Sequence, residues 1–152
     1  MPEAKTPSIR SIARNKKAFF NYEILSKLEC GLALHGTEVK SLRAGHVDFA
    51  DAYAQVSEGR LRLIGLHIAE YAMGNRHNHV VTRPRALLAH KRQIRKLHAE
   101  SQTRGLTLVP LSLYWKGSRV KVELAVARGK RLFDKRESIK RRELQRKGTR
   151  EE

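Results

Sequence analysis

Two closely spaced histidines are the residues of this sequence whose types and spacing could support metal chemistry. His77 and His79 are separated by one asparagine in the segment "NRHNHVV", and imidazole is a common ligand of catalytic metals. A metal-dependent nuclease would need further acidic or histidine ligands that converge in space. No Asp or Glu occurs between Tyr71 and Gln93. The pair is therefore a weak indication of a metal site, and a polar surface loop is the alternative.

Other catalytic patterns are missing from the sequence. It contains no Gly-rich phosphate-binding loop, no nucleophile elbow and no pair of carboxylates at a motif spacing. Its single cysteine, Cys30, excludes an intrachain disulfide and a multi-cysteine zinc site. This cysteine lies in an alternating apolar stretch, which predicts a buried thiol. We therefore expect a binding protein rather than an enzyme, without a metal or cofactor.

The charge of the chain indicates a polyanionic partner. The sequence has 32 Lys and Arg against 15 Asp and Glu, a formal net charge of +17. Residues 128–152 contribute +6, from 11 basic and 5 acidic residues, and residues 1–127 contribute +11, from 21 basic and 10 acidic residues. Such an excess is typical of nucleic-acid-binding proteins, and an acidic membrane or protein surface is the alternative. On an RNA-binding protein, the histidines of "NRHNHVV" would contact RNA.

The N-terminal segment predicts a flexible basic arm over residues 1–18 of a cytoplasmic protein. The stretch "MPEAKTPSIRSIARNKKAFF" lacks the apolar core of a signal peptide. It is rich in Arg and Lys, as a transit peptide is, but Glu3 and Pro7 argue against that alternative. No apolar run in the sequence approaches the length needed to span a bilayer, so we expect no membrane-spanning segment. With nucleic acid as the favoured partner, we expect no membrane among the partners.

Alternating apolar residues predict a mainly β domain over residues 19–128. Between residues 20 and 34 the even positions are apolar except for Ser26, which indicates one long strand, or two joined at a bend. The stretch "HGTEVKSLRAG" then predicts a short helix with Thr37 as its N-cap and Gly45 as its stop.

Two hairpins complete the predicted sheet. The stretch "FADAYAQVSEGRLRLIGLHIAEY" indicates a strand, a turn at residues 57–60, and a second strand that continues to Ile68. The stretch "LTLVPLSLYWKGSRVKVELAVARG" indicates a hairpin whose turn is Lys116-Gly117-Ser118. About five or six antiparallel strands result. We expect them to close into a barrel with two or three flanking helices, because closure removes exposed edges.

The stretch "RPRALLAHKRQIRKLHAESQTRG" predicts the longest helix, with Pro84 in its first turn and a glycine past its end. On a wheel of about 100° per residue, Leu87, Ile94 and Leu97 form a core stripe. Leu88 falls instead among the basic residues, where it could pack against a ribose or an unstacked base. The basic arc predicts phosphate contacts, and a merely solvated face is the alternative. Its members are Lys91, Arg92, Arg95 and Lys96.

Three blocks of the sequence together resemble one known family. They are "ECGLALHGTEVKSLRAG" at residues 29–45, "GLTLVPLSLYWKGSRVKVELAVARGKR" at residues 105–131 and "DKRESIKRRELQR" at residues 134–146. They closely resemble the SsrA-binding protein family, also called small protein B, the bacterial partner of transfer-messenger RNA (tmRNA). The resemblance extends from about Ile12 to Arg146, nearly the whole chain.

This resemblance implies a closed antiparallel barrel related to the oligonucleotide-binding (OB) fold, with helices packed outside it. It implies that the barrel grips the tRNA-like domain of tmRNA at its D-loop and elbow. Together with elongation factor Tu, the protein would deliver tmRNA to stalled ribosomes for trans-translation. The basic tail, residues 129–152, would be disordered when free and helical in the empty mRNA channel, where it contacts small-subunit RNA.

The resemblance also implies two sets of site residues. Glu29, Leu88 and His90 match the family's tmRNA-contact positions, although the helical wheel places His90 toward the core. We add Lys91, Arg92 and Arg95 from the basic arc. In the tail, Phe133 matches an aromatic position that stacks on a decoding-centre base. The other tail positions that match are Gly129, Lys130, Arg131, Asp134, Lys135 and Arg136.

The tail has only local support for a helix. Glu137 lies four residues before Arg141, and Glu143 lies four before Lys147. Each such pair adds about 0.2–0.5 kcal/mol, so the isolated segment is at most partly helical and would order on binding. Two alternatives stay open from the residues alone. One is a general basic nucleic-acid or ribosomal protein, and the other is the nuclease.

Overall fold

A computed structural model of the chain describes residues 8–74, 78–130, 140 and 142–144. Up to Lys130, the described residues form nine strands and three helices. In chain order these are β1 (Ile9–Arg14), α1 (Lys16–Asn21), β2 (Tyr22–Leu32), α2 (Gly36–Arg43), β3 (Val47–Asp48), β4 (Tyr53–Ser57), β5 (Arg60–Ile64), β6 (His67–Ile68), β7 (Arg85–Leu88), α3 (Lys91–Ser101), β8 (Leu106–Lys116) and β9 (Arg119–Gly129).

Seven of these strands form one antiparallel sheet in the order β1-β8-β4-β5-β7-β2-β9. Because β8 also pairs with β9, the pairings run from β8 through β4, β5, β7, β2 and β9 and return to β8. The two short strands β3 and β6 form a separate pair. The predicted mainly β architecture with a few helices is confirmed.

Both predicted hairpins are present, and their turns use backbone conformations that favour glycine. In β8–β9, Lys116 pairs with Arg119 across a two-residue turn in which Gly117 has a φ of 63°. In β4–β5, Glu58 and Gly59 have φ values of 53° and 74°. Two positive φ angles are typical of the type I′ turn, whose twist matches that of the flanking strands.

The main core is formed by the buried face of this sheet together with residues of α2 and α3. Alternate residues of β9, from Val120 to Val126, are buried as predicted, together with Leu63 of β5 and Leu113 of β8. From α3, Leu97 joins the same cluster. The helix is thereby fixed against the sheet, and its opposite face remains in solvent.

The predicted helix over residues 84–103 is wrong in its first part. Residues Arg85–Leu88 form strand β7, in which Leu87 pairs with Leu32 of β2, and Arg85 pairs with Leu63 of β5. Burial alternates along β7 in the order buried, exposed, buried, exposed. This period of two, with a partner strand on each side, overrides the helical pattern. Helix α3 begins only at Lys91.

The N-terminal predictions also need correction. Phe20 does not begin a strand but lies in α1, which Asn15 caps by accepting a hydrogen bond from the Ala18 N–H at 3.3 Å. The expected flexible arm is wrong for residues 9–14, which form β1 and pair with β8. Residues 1–7 lie outside the described part of the chain. In β2, the pairing with β9 shifts its register between Ile24 and Ser26, at the point where the apolar alternation breaks.

Two further boundaries differ from the prediction. The strand expected to reach Ile68 ends at Ile64 because Gly65 has a φ of 78°, and a Cβ there would lie 2.6 Å from the Asp51 carbonyl oxygen. The N-cap of α2 is His35 rather than Thr37. The helix ends before Gly45, as predicted.

Candidate nucleic-acid interface

Glu29 and Leu88 lie on one outward face of the sheet. Glu29 is on β2, two residues before Gly31, and Leu88 of β7 lies directly opposite Gly31. Residues two apart on a strand point to the same face, and diagonal neighbours of this kind are about 7–8 Å apart. A Cβ on Gly31 would lie 3.2 Å from the Leu88 Cβ. Glycine at this position therefore lets Leu88 pack over β2 while 59% of Leu88 stays exposed.

Two residues of β8 hold the Glu29 carboxylate. The Tyr114 hydroxyl donates a hydrogen bond to Oε2, and the Lys116 Nζ donates to Oε1 at 3.0 Å. These contacts cross over β9, which lies between β2 and β8. The hydrogen bond from Tyr114, followed by that from Lys116, lowers the pKa of Glu29 below its ordinary value. The carboxylate is therefore an ionised acceptor that remains open to solvent.

Leu88 lines a groove between β7 and the turn of the β8–β9 hairpin. Trp115 contributes further apolar surface, and Arg119 and Lys121 contribute positive charge. Lys121 lies directly opposite Gly31 in β9. An apolar floor with a cationic rim suits a nucleotide, whose base is apolar on its faces and whose phosphate is negative.

Helix α3 separates its faces as predicted from Lys91 onward. The side chains of Lys91, Arg92, Arg95 and Lys96 are exposed, whereas Leu97 is buried.

The structure differs from the prediction in the position of His90 and in the placement of the α3 cations relative to Leu88. His90, expected toward the core, is exposed because it is the N-cap, and its backbone N–H donates to Gln93 Oε1 at 3.0 Å. Lys91 and Arg95 line a groove with Val56 of the β4–β5 hairpin, away from the groove that Leu88 lines. The structure thus brings Glu29 and Leu88 together but places these α3 cations in a different groove.

A buried ion cluster that the sequence did not predict fixes the start of β7. Glu38 of α2 is fully buried and accepts hydrogen bonds from Arg83 and Arg85. Arg85 also donates to the Leu66 carbonyl at 2.6 Å and to the Val81 carbonyl at 2.9 Å. The cluster ties α2 to the strand that carries Leu88. An arginine at a buried position of the alternating segment "RALL" is the signal that could have revealed it.

Glu38 stays ionised although it is buried. Burial by itself would raise the pKa of Glu38, but hydrogen bonds from Arg83, from the His35 backbone N–H and from Arg85 lower it below its ordinary value. The cluster is therefore a compensated set of charges. This agrees with the general rule that charges inside proteins are paired and hydrogen-bonded.

His79 is a structural histidine, so the expected exposed position is wrong for it. Its Nδ1 lies 2.8 Å from the Thr37 hydroxyl and its Nε2 lies 2.8 Å from the Ile68 carbonyl oxygen. Both ring nitrogens are thus engaged within the protein. His77 lies outside the described residues. Within the described ranges, no group of three or more His, Cys, Asp or Glu is arranged to hold a metal ion.

Cys30 is buried, as predicted. Only 1% of its surface is exposed, and burial raises the pKa of its thiol to about 11. A thiol with this pKa stays protonated near neutral pH, so Cys30 packs as a small apolar side chain.

The start of the predicted tail is attached to α1. Gly129 ends β9, and the Lys130 backbone N–H donates to the Asn21 carbonyl at 2.9 Å. The Lys130 Nζ donates to the Phe19 carbonyl at 3.2 Å. The remaining predicted tail residues lie outside the described part of the chain; they are Arg131, Phe133, Asp134, Lys135 and Arg136. Across the described ranges, no helix has the length and apolar character to cross a membrane.

Comparison with known proteins identifies close relatives along nearly the whole chain. A family model described as "SmpB protein" matches residues 12–152. A protein of Carboxydothermus hydrogenoformans named "SsrA-binding protein" is 50% identical over 135 residues, which cover 89% of this chain and 91% of the relative. A protein of Oleidesulfovibrio alaskensis with the same name is 48% identical over 151 residues, which cover 99% and 97%.

A solved structure has the same fold. It is described as "tmRNA-SmpB: a journey to the center of the bacterial ribosome" and matches with a TM-score of 0.70 and 44% sequence identity. The match covers 86% of this chain and 95% of the other chain. The similarity therefore concerns both the sequence and the arrangement of its strands and helices.

Proposed function

Because the chain belongs to the SmpB protein family, we propose that it is an RNA-binding adaptor. It binds the tRNA-like domain of tmRNA and delivers this RNA to stalled ribosomes for trans-translation. The names of its relatives and the ribosomal context of the solved structure support this proposal. The adaptor has no catalytic activity of its own, since RNA binding and delivery need none.

The observation that carries the proposal is the pairing of Glu29 with Leu88 on one outward face. A carboxylate repels phosphate, so a surface that bound only the RNA backbone would not favour one there. A carboxylate does accept hydrogen bonds from base N–H groups, and an exposed leucine packs against an unstacked base. This combination favours recognition of a folded RNA with exposed bases, such as the D-loop and elbow of a tRNA-like domain.

The strand pairings support a closed barrel related to the OB fold. Their circuit from β8 through β4, β5, β7, β2 and β9 back to β8 leaves β1 as an added strand on β8. Small barrels of this class bind oligonucleotides on their outer strands and loops. In this proposal, β2 and β7 supply the tmRNA contacts, and α3 adds phosphate contacts through Lys91, Arg92 and Arg95, next to His90.

The tail supplies the contact with the ribosome in this proposal. The part of the tail that follows Lys130 forms a helix in the empty mRNA channel, where its cations meet small-subunit RNA phosphates. Phe133 stacks on a base of the decoding centre, which stabilises the contact by about 1–3 kcal/mol. Elongation factor Tu joins the complex on the aminoacylated end of tmRNA, and the protein works in the cytoplasm, where ribosomes translate.

Sequencing the RNA that co-purifies with the protein tests this function. We expect one tmRNA species to be enriched over ribosomal RNA. The matched control is the double variant Glu29→Gln, Leu88→Ala. It raises the net positive charge by one, so it should retain weak binding to bulk RNA while losing the enrichment. A wild-type sample that holds cellular RNAs in proportion to their abundance would instead identify a general basic RNA-binding protein.

A further inference from the structure

Both oxygens of the Glu29 carboxylate keep a free acceptor position. Tyr114 donates to Oε2 and Lys116 donates to Oε1, so each oxygen has one protein donor. An ionised carboxylate offers about four lone-pair positions on its two oxygens. With 37% of its side chain exposed, Glu29 therefore presents two adjacent acceptors to a ligand from solvent.

The two donors also fix the direction of the carboxylate. Tyr114 is partly buried, and burial, together with its hydrogen bond to Glu29, raises the pKa of its hydroxyl. The hydroxyl therefore remains a donor. Since β8 and β2 are joined through β9 by continuous pairing, the carboxylate is held in place before any ligand arrives. Such preorganisation reduces the entropy lost on binding.

Among the four RNA bases, guanine is complementary to this pair of acceptors. Its Watson–Crick edge places the N1–H and the 2-amino group side by side as donors. Adenine and cytosine each place a ring-nitrogen acceptor beside their amino group, and uracil has carbonyl oxygens on both sides of its N3–H. These acceptors would face the carboxylate and repel it. An edge of this kind is open to protein only when the base is unpaired.

We propose that the Glu29 carboxylate binds the Watson–Crick edge of one unpaired guanine, and that Tyr114 and Lys116 are the positioning residues for this contact. The inference rests on the proposed tmRNA binding and names the base that the Glu29 site accepts. Leu88, a diagonal neighbour of Glu29 across Gly31, is placed to contact the face of that base. Lys121, opposite Gly31, supplies positive charge beside it.

Inosine substitution tests the guanine assignment directly. Inosine keeps the N1–H of guanine but lacks the 2-amino group, so it removes one of the two hydrogen bonds. The unpaired guanines of a tRNA-like-domain transcript are replaced one at a time, and the Kd of each transcript is measured at constant salt. We expect one position to weaken binding by wild-type protein about tenfold. The same replacement should change the Kd of Glu29→Gln less than about twofold.

The positioning residues are tested by the same measurement, the increase in Kd when inosine replaces the guanine, which we call the inosine penalty. Tyr114→Phe and Lys116→Met each remove one donor to Glu29 and should reduce the tenfold penalty to about threefold or less. A purely structural role would lower the unfolding temperature without changing the penalty. Glu123→Gln is the matched control, because Glu123 lies opposite Glu29 in β9 and pairs with Lys27 at 3.5 Å. It should keep the full penalty.

The possible results separate this inference from the proposed function. If wild-type protein does not bind the unmodified transcript, the tmRNA-binding function itself is wrong. If it binds but tolerates inosine everywhere, or if Glu29→Gln keeps the penalty, the guanine assignment is overturned while RNA binding stands. If Tyr114→Phe and Lys116→Met both keep the wild-type penalty, neither residue positions Glu29 for the base.

Discussion

Glu29 shows what a single residue contributes to the proposed RNA-binding face. From its type and position alone, Glu29 would be interpreted as an ordinary exposed acid on a strand, and only the family resemblance singles it out. The structure adds its partners, because Tyr114 lies 85 positions away in the sequence and contacts the carboxylate. No local pattern predicts a contact at that separation. The two donors fix the orientation of the Glu29 carboxylate and lower its pKa, which a freely solvated acid would not show.

Replacing Leu88 should weaken tmRNA binding without affecting the fold. Leu88→Ala removes apolar contact worth about 1–2 kcal/mol, or roughly five- to thirtyfold in Kd, and the side chain is already 59% exposed in the free protein. Leu25→Ala is the control, since Leu25 is a leucine of β2 that is 45% exposed. The Kd for the tRNA-like domain is measured for both variants. Equal losses would show that Leu88 has no special place in the interface.

Replacing Glu38 should destabilise the fold. Glu38→Gln leaves the buried Arg85 guanidinium without its counter-charge, and breaking a buried pair in this way costs about 3–5 kcal/mol. The free energy of unfolding is measured by urea denaturation at neutral pH. Glu23→Gln, a change at an exposed acid of β2, should alter it by less than about 0.5 kcal/mol.

The stability difference between wild type and Glu38→Gln should also depend on pH. The pKa of Glu38 is lowered in the folded state, so the unfolded chain binds its proton more readily. Its ionised form therefore stabilises the fold above the unfolded pKa of about 4.3. This contribution is lost as the pH falls through the lower folded pKa. We expect the difference in unfolding free energy between wild type and Glu38→Gln to narrow below about pH 4. A constant difference would show that the Glu38 charge is not responsible.

At the scale of elements, the segment from Arg85 to Lys91 shows where local patterns fail. Four residues of strand and the helix that follows were predicted as one helix, because their apolar residues also fit a helical period. The strand forms because β2 and β5 offer backbone partners on both sides. If these residues were helical, the backbone N–H and C=O groups at the facing edges of β2 and β5 would lack hydrogen-bond partners. The helix that remains still carries the predicted basic face.

The basic face of α3 should determine part of the salt dependence of RNA binding. Each phosphate contact releases counterions and contributes about −0.7 to −0.9 to the slope of log K against log salt. The double variant Lys91→Gln, Arg95→Gln should therefore make the slope shallower by between one and two. Lys16→Gln with Lys17→Gln removes two exposed cations of α1 and is the control for net charge. The same change of slope in both variants would contradict a specific role for α3.

At the scale of the whole molecule, the body and the tail should have separable functions. A chain that ends after Lys130 keeps the sheet, α3 and the hydrogen bonds from Lys130 to α1. It should bind the tRNA-like domain with a Kd within about threefold of that of the full chain, a difference of less than about 1 kcal/mol. The reason is that the truncation removes no proposed tmRNA contact. It should fail to support tagging on stalled ribosomes, measured by translation in a reconstituted system.

A second truncation separates stability from function. A chain that ends after Gly129 also loses the Lys130 hydrogen bonds and should be less stable than the Lys130 truncation by about 1–2 kcal/mol. If the Lys130 truncation loses its affinity for the tRNA-like domain although it unfolds at the wild-type temperature, the division between body and tail is wrong.

The sequence by itself determined the features that depend on neighbouring residues. Local periodicity and backbone preference determine four of them. These are the alternating residues of β9, the glycine turn at Gly117, the end of α2 before Gly45 and the exposed cations of α3. The sequence blocks also identified the family. These features were predicted correctly because each depends on a stretch of at most about a dozen residues.

Only the tertiary structure decided the features that depend on distant partners. It made residues 9–14 a strand, since β8 provides the edge on which they pair. It turned His79 inward, where Thr37 and the Ile68 carbonyl satisfy both ring nitrogens. It also joined Glu29 to Tyr114 across β9. In each case the free energy comes from burial and hydrogen bonds between segments far apart in the chain, and these outweigh local propensity of a few tenths of a kcal/mol per residue.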